Sequence, residues 1–232
     1  MNTQFILAAY WGVRKEEARA CAERMVEFFK SVSQWSPITS HWYELGRSKR
    51  DALSKPAALN SIDYWHRKFS RQRQSAEAGY SIGLWNGHDN DSGMGISVRC
   101  GAHSEFGKNC VVIYCHPSSG LLGTHCEMSL VLSSVARVWQ PDWAGLMSSK
   151  GRDMRHAKPG QPFIDWMIYL SDELLPEVPK LKPPARCERI DDLGTLIVVQ
   201  PEPTDPTNRD HLQNIERVQT ALKKVWTVAD YE

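Results

Sequence analysis

Seven apolar residues, Ala18, Cys21, Ala22, Met25, Phe28, Phe29 and Val32, recur at helical spacing behind an unbroken apolar run from Phe5 to Trp11. The first run is short, continuous and closed by Gly12, which predicts a buried strand. The second has charges between its apolar positions, which predicts a helix with one buried stripe. Neither element can be covered by water alone, so the chain begins as a helix packed on a sheet. That helix must end before Pro37, because proline disfavours helical backbone in the residue ahead of it.

The same reading extends along the chain. Tyr80 to Trp85, Gly95 to Cys100 and Cys110 to Cys115 read as strands, the first leading into the turn dipeptide Asn86-Gly87. Short loops join them, so an antiparallel meander is the economical topology. A second amphipathic helix is expected over 122–139, with Met128, Val131, Leu132, Val135, Val138 and Trp139 as its stripe and Pro141 as its stop. Ala144–Ser148 and Ile164–Leu170 read as strands, 150–162 as a surface loop, and the proline-rich 176–184 as an extended connector. Leu196 to Val199, introduced by Gly194, reads as a buried strand. A last helix carries Ile215, Val218, Leu222 and Val225 on one face, with Thr207 and Asp210 at capping-box spacing. The succession predicts an α+β fold: a largely antiparallel sheet with about three amphipathic helices packed on it, as one domain over 1–232. Two strand-then-helix halves suggest a pseudo-repeat.

Composition narrows the function classes. A formal net charge of +1 over 232 residues gives no global field for nucleic acid or an anionic membrane. No apolar stretch approaches the roughly 18 residues of a membrane span. The N-terminus lacks a basic region and a small-residue cleavage site, so no secretory signal is expected and the chain is placed in the cytoplasm. The six cysteines form no C-x-x-C pair and are expected as free thiols. One local departure stands out. Between 46 and 73 eight basic residues, among them Arg47 and Arg50, face only Asp51 and Asp63, and helical periodicity is weak, so this stretch reads as irregular with one or two short helices.

Motifs for chemistry are sparse. No Walker loop, dinucleotide glycine pattern, G-x-S-x-G elbow or H-E-x-x-H helix is expected. His125-Cys126-Glu127 matches half of a zinc deaminase signature and lacks the P-C-x-x-C half. Cys100, His103, Cys115, His116, His125 and Cys126 offer ligand types without tight ligand pairs, so no metal and no other cofactor is expected. Asp89 to Gly93 opens like a calcium loop, but Met94 stands where glycine belongs and Cys100 where the bidentate glutamate belongs. The stretch 46–73 supports nucleic-acid binding as an alternative, with Trp65 and Phe69 for stacking. A metal-dependent enzyme of unknown type is the other alternative. Nine tryptophans, and the pair Trp139 and Trp143 around Pro141 in particular, suit a binding protein with at least one indole near the surface.

Five strings combine. They are Tyr10-Trp11-Gly12 followed by Arg14 and Glu17; Trp85-Asn86-Gly87; Trp139-x-Pro141-Asp142-Trp143; Trp166 followed by Tyr169-Leu170-Ser171; and Leu193-Gly194-Thr195. In this order and spacing the chain resembles the immunity protein 52 family of bacterial polymorphic toxin systems, over nearly its whole length. One position departs: Asp165 stands before Trp166 where the family pattern has glycine. The resemblance implies a non-enzymatic inhibitor of a cognate toxin, often one delivered by a type VI secretion system and resembling a restriction-endonuclease-fold nuclease. It implies no catalytic residues; Gly12 and Gly87 suit tight turns and the tryptophans suit packing.

For such a partner the candidate contact residues are Asp89, Asp91 and Glu105 against cationic surface, Arg47 and Arg50 against acidic surface, and Trp143 as an aromatic anchor. Neither direct contact with nucleic acid nor contact with a membrane is expected.

Overall fold

The computed structural model describes residues 4–72, 76–104, 107–116, 122–158, 160–223 and 225. The chain divides into two compact units, Tyr10–Leu122, and Met1–Ala9 with Gly123–Glu232. Strand β1 (Phe5–Trp11) runs across that division and is buried at every position but Tyr10. Every strand pair with a described register is antiparallel.

In the unit Tyr10–Leu122, helix α1 (Ala18–Val32) buries all seven residues of its apolar stripe. The basic stretch forms two short helices, α2 (Lys49–Leu53) and α3 (Ile62–Ser70). Trp65 of α3 stacks on Phe29 of α1, with centroids 5.6 Å apart and rings 6° from parallel. The sheet runs in the order β2 (Tyr43–Glu44), β3 (Tyr80–Trp85), β4 (Gly95–Cys100), β5 (Asn109–Cys115), and β3 to β5 form the meander that short loops favour. The helices back one face of it: Phe69 of α3 lies 5.3 Å from the Tyr80 ring, and the Cys21 sulfur of α1 stands 3.3 Å from where a Cβ on Gly101 would be.

The other unit carries α4 (His125–Trp139), β6 (Trp143–Ser148), α5 (Ser149–Met154), β7 (Met167–Ser171), β8 (Arg186–Ile190), β9 (Gly194–Val198) and α6 (Arg209–Leu222). Its strand order is β6-β7-β9-β8, so β9 lies inside and β8 at the edge. Every residue of β9 is buried. Gly194 permits this, because a Cβ there would stand 2.2 Å from the Leu170 carbonyl and 2.8 Å from the Ser171 Cα. Those are backbone atoms that cannot rotate away. Gly194→Ala should therefore cost about 2–3 kcal/mol as an overpacked core contact, read as a lowered urea midpoint; an unchanged midpoint would refute the steric account.

Four expectations need correction. Residues 150–162 are not loop throughout: α5 occupies the start, nucleated by Ser148, whose hydroxyl accepts from the Gly151 N–H at 3.0 Å. Strand β8 went unread because Arg186, Glu188 and Arg189 hide its period, yet charges are what an edge strand carries to block further pairing. The last helix is capped by Asn208, whose side chain accepts from the Asp210 N–H at 2.9 Å, and not by Thr207, which bonds to Asp205. Finally, Trp139 and Trp143 are both buried. Gln140 turns left-handed (φ 46°) after α4, the chain doubles back, and the Trp143 indole donates to the Gly160 carbonyl at 3.2 Å. Trp143 is therefore a core residue and offers no anchor to a partner.

Candidate interaction surface

Five of the six candidate contact residues fall in the unit Tyr10–Leu122, four of them around α2 and the loop joining β3 to β4. The loop is organised by Asn86, a buried residue. Its carboxamide donates to the Ser92 carbonyl at 2.9 Å and accepts from the N–H groups of Met94 at 2.9 Å and His88 at 3.3 Å. Asn86-Gly87 is thus no two-residue hairpin; the asparagine side chain pins a nine-residue loop, 86–94, that contains a 3-10 turn at Asn90–Ser92. Gly87 does adopt φ 82°, and a Cβ there would meet the Tyr43 ring at 2.6 Å. Gly12 is not among the left-handed glycines; its carbonyl accepts from the Asn109 carboxamide at 2.7 Å.

Helix α2 is held at its base. The Ser48 hydroxyl accepts from the Asp51 N–H at 3.2 Å, and the Asp51 carboxylate accepts from Lys55 and from the Arg47 N–H, both at 2.8 Å. These bonds, that from Lys55 first, hold the Asp51 carboxyl below its usual range. Arg47 and Arg50 are left exposed. Beneath them, burial raises Glu44, but hydrogen bonds from Lys68 (2.6 Å) and Tyr64 (2.5 Å) outweigh it and leave Glu44 below the usual carboxylate range.

The two charge sets expected to act separately meet here. Lys49 of α2 pairs with Asp89 of the loop, and Asp91 lies 3.4 Å from His116. The carboxylates of the calcium-like string are therefore engaged by a lysine and a histidine. Glu105 lies outside the described residues, and Trp143 is in the other unit.

The chemical alternatives fare differently. Cys100 and Cys115 are buried; the neighbouring Cys21 sulfur, then burial, raises the Cys100 thiol well above its ordinary value, and burial pushes Cys115 up to about 12. Such thiols stay protonated and are poor ligands. Glu127 closes a capping box on α4, accepting from the Thr124 N–H at 2.7 Å. No group of three or more His, Cys, Asp or Glu among the described residues is placed to hold a metal ion. Trp65 and Phe69 are buried, so the basic stretch has no stacking platform there. Gly79-Tyr80-Ser81-Ile82-Gly83 spells the hydrolase string G-x-S-x-G, but it runs into β3 and not through a strand-to-helix elbow. The Ser81 backbone is instead matched by the Gln72 carboxamide, at 2.7 and 2.9 Å, as a neighbouring strand would do.

In the other unit the departing position, Asp165, is fully buried. It accepts from the Ser148 N–H at 2.7 Å and pairs with Arg155, which also donates to the Ile164 carbonyl at 2.7 Å and lies 4.0 Å over the Phe163 ring. Burial pushes the Asp165 carboxyl up to about 6, against the pull of Ser148 and Arg155.

Among the described residues no helix is long and apolar enough to cross a membrane. No curated protein matches the sequence. Among solved structures the fold is similar to that of the Pseudomonas aeruginosa T6SS protein PA0821, at 12% identity and a TM-score of 0.57, covering 97% of this chain and 73% of that one. The sequence pattern of the family described as Immunity protein 52 matches residues 3–229, across both compact units. The chain belongs to the Immunity protein 52 family.

Proposed function

We propose that this protein is a cytoplasmic immunity protein that binds and neutralises a cognate toxin by contact alone, without catalysing a reaction. The toxin is a nuclease of the restriction-endonuclease-like kind, delivered by a type VI secretion system. The family match over 3–229 carries the reading. Fold similarity to a protein titled as a T6SS component supports the delivery route. Contact without chemistry is supported by the work the reactive side chains already do: Glu127 caps a helix, and Cys100 and Cys115 are raised and buried. Because the match spans both units, the chain is read as one binding module.

The test is co-expression with the toxin encoded beside its gene. Growth should be restored and the two chains should co-purify. Continued killing by an active toxin in the presence of soluble, folded immunity protein would sink the proposal.

A further inference from the structure

The sheet of the unit Tyr10–Leu122 has two unlike faces. Along β4, Ile96, Val98 and Cys100 are buried while Ser97 and Arg99 are exposed. Helices α1 and α3 back the buried face. Register places Ser97 between Gly83 and Val112, and Gly95 between Trp85 and Tyr114, on the other side; Val112 is buried there, while Ser97 and Tyr114 are exposed. Tyr43 pairs with Trp85 on the same side, ring centroids 6.4 Å apart, and Tyr114 is 42% exposed. Leu45, 63% exposed, lies over Gly83, where a Cβ would meet its Cδ1 at 2.8 Å.

This face has the make-up of a contact surface. Gly95 and Ser97 form a shallow centre where another chain can approach the backbone, Leu45 covers Gly83 at its border, and aromatic rings bound it. Tyrosine, tryptophan and arginine are the residues that concentrate binding energy. The Trp85 indole is already fixed, donating to the His88 carbonyl at 2.7 Å, so little ordering remains to be lost on binding. Strand spacings give about 20 Å by about 15 Å, on the order of 300 Å², the scale of a functional surface patch.

Charge decides the kind of partner. Arg99 projects from the face, and Arg47 and Arg50 stand beside it on and next to α2. None of the three is in an ion pair among the described residues, whereas Asp89 is matched by Lys49 and Asp51 by Lys55. Asp91 faces only His116, so three arginines stand against one carboxylate and the balance is positive.

We propose that this open face is the toxin-docking surface and that it receives an acidic, carboxylate-bearing surface of a folded protein domain. The proposal rests on the toxin-binding reading. A protein fits better than a nucleic acid, since three arginines beside the carboxylates of Asp89 and Asp91 are few for a polyanion and Trp65 and Phe69 are buried.

The experiment uses the full chain and the purified toxin domain encoded beside it, with binding followed by calorimetry. Ser97→Arg, which plants a long side chain in the centre, should weaken binding at least about 30-fold. Arg50→Glu with Arg99→Glu, both at exposed positions, should do the same and slow association at low salt. Leu130→Arg, at a 71% exposed position of α4 in the other unit, should bind as wild type. Unchanged urea midpoints show that each variant folds. If wild type binds and the Ser97 and arginine variants bind equally well, the docking surface is wrong and the toxin-binding reading stands. Loss of binding only in Leu130→Arg, or preference of the arginine-rich face for duplex DNA over toxin, also overturns it. If wild type does not bind the toxin, the functional reading fails and the docking proposal falls with it.

Discussion

Replacing Arg155 by methionine should lower the unfolding free energy by about 3–5 kcal/mol at pH 7.5, because it strands the buried Asp165 carboxylate without its cation. Methionine keeps much of the volume over Phe163, so the loss reports charge more than packing. The deficit should shrink as pH falls. In the folded chain Asp165 binds its proton more tightly, with a pKa of about 6 against 3.8 for the free group, so between these values the folded state holds the extra proton. Stability from this group therefore falls as pH rises through that window, by about 3 kcal/mol in all. Removing Arg155 takes away one of the influences that lower Asp165, so the carboxyl rises further and the variant loses stability up to a higher pH. At pH 4 the acid is protonated in the fold and the missing cation matters least. Asp165→Asn should flatten this component while keeping an acceptor for the Ser148 N–H. Urea unfolding of the three proteins from pH 4 to 8 checks the account; an Arg155→Met deficit equal at pH 4 and 7.5 would refute it.

Trp65→Ala should cost about 3–5 kcal/mol, the range for truncating a fully buried aromatic. The ring is stacked on Phe29, meets Tyr64 edge-on at 4.8 Å and Phe69 at 6.5 Å, and donates to the Leu59 carbonyl at 3.1 Å. Alanine leaves a cavity between α1 and α3 and an acceptor without its donor. Trp65→Phe, which keeps the stack and loses the indole donor, should recover much of the loss. Equilibrium unfolding measures both. If alanine and phenylalanine cost the same, the hydrogen bond and not the stack holds the contact.

Periodicity was readable wherever one residue's environment follows from its near neighbours. The stripe of α1 was legible residue by residue, as were the strands on either side of Asn86-Gly87 and the buried run at Leu196. The stretch 46–73 reads as irregular with one or two short helices, and two form. Elements held by caps or edges were harder. The capping box Thr124–Glu127 stands in the sequence and marks the start of α4, and the string G-x-S-x-G at 79–83 lies in a strand, so it forms no elbow. Strand β8 was hidden because charges at an edge obey solubility and not burial.

What the sequence determined by itself was the set of apolar faces, and with them an α+β fold; a 3.6-residue or 2-residue period forces a buried side whatever lies opposite. Tertiary structure alone decided which distant groups meet: Lys49 with Asp89, Arg155 with Asp165, and both tryptophans around Pro141 turned inward. A charge or an indole has no period. Its fate depends on the neighbour that the folded backbone brings to it, and that neighbour can stand 40 residues away.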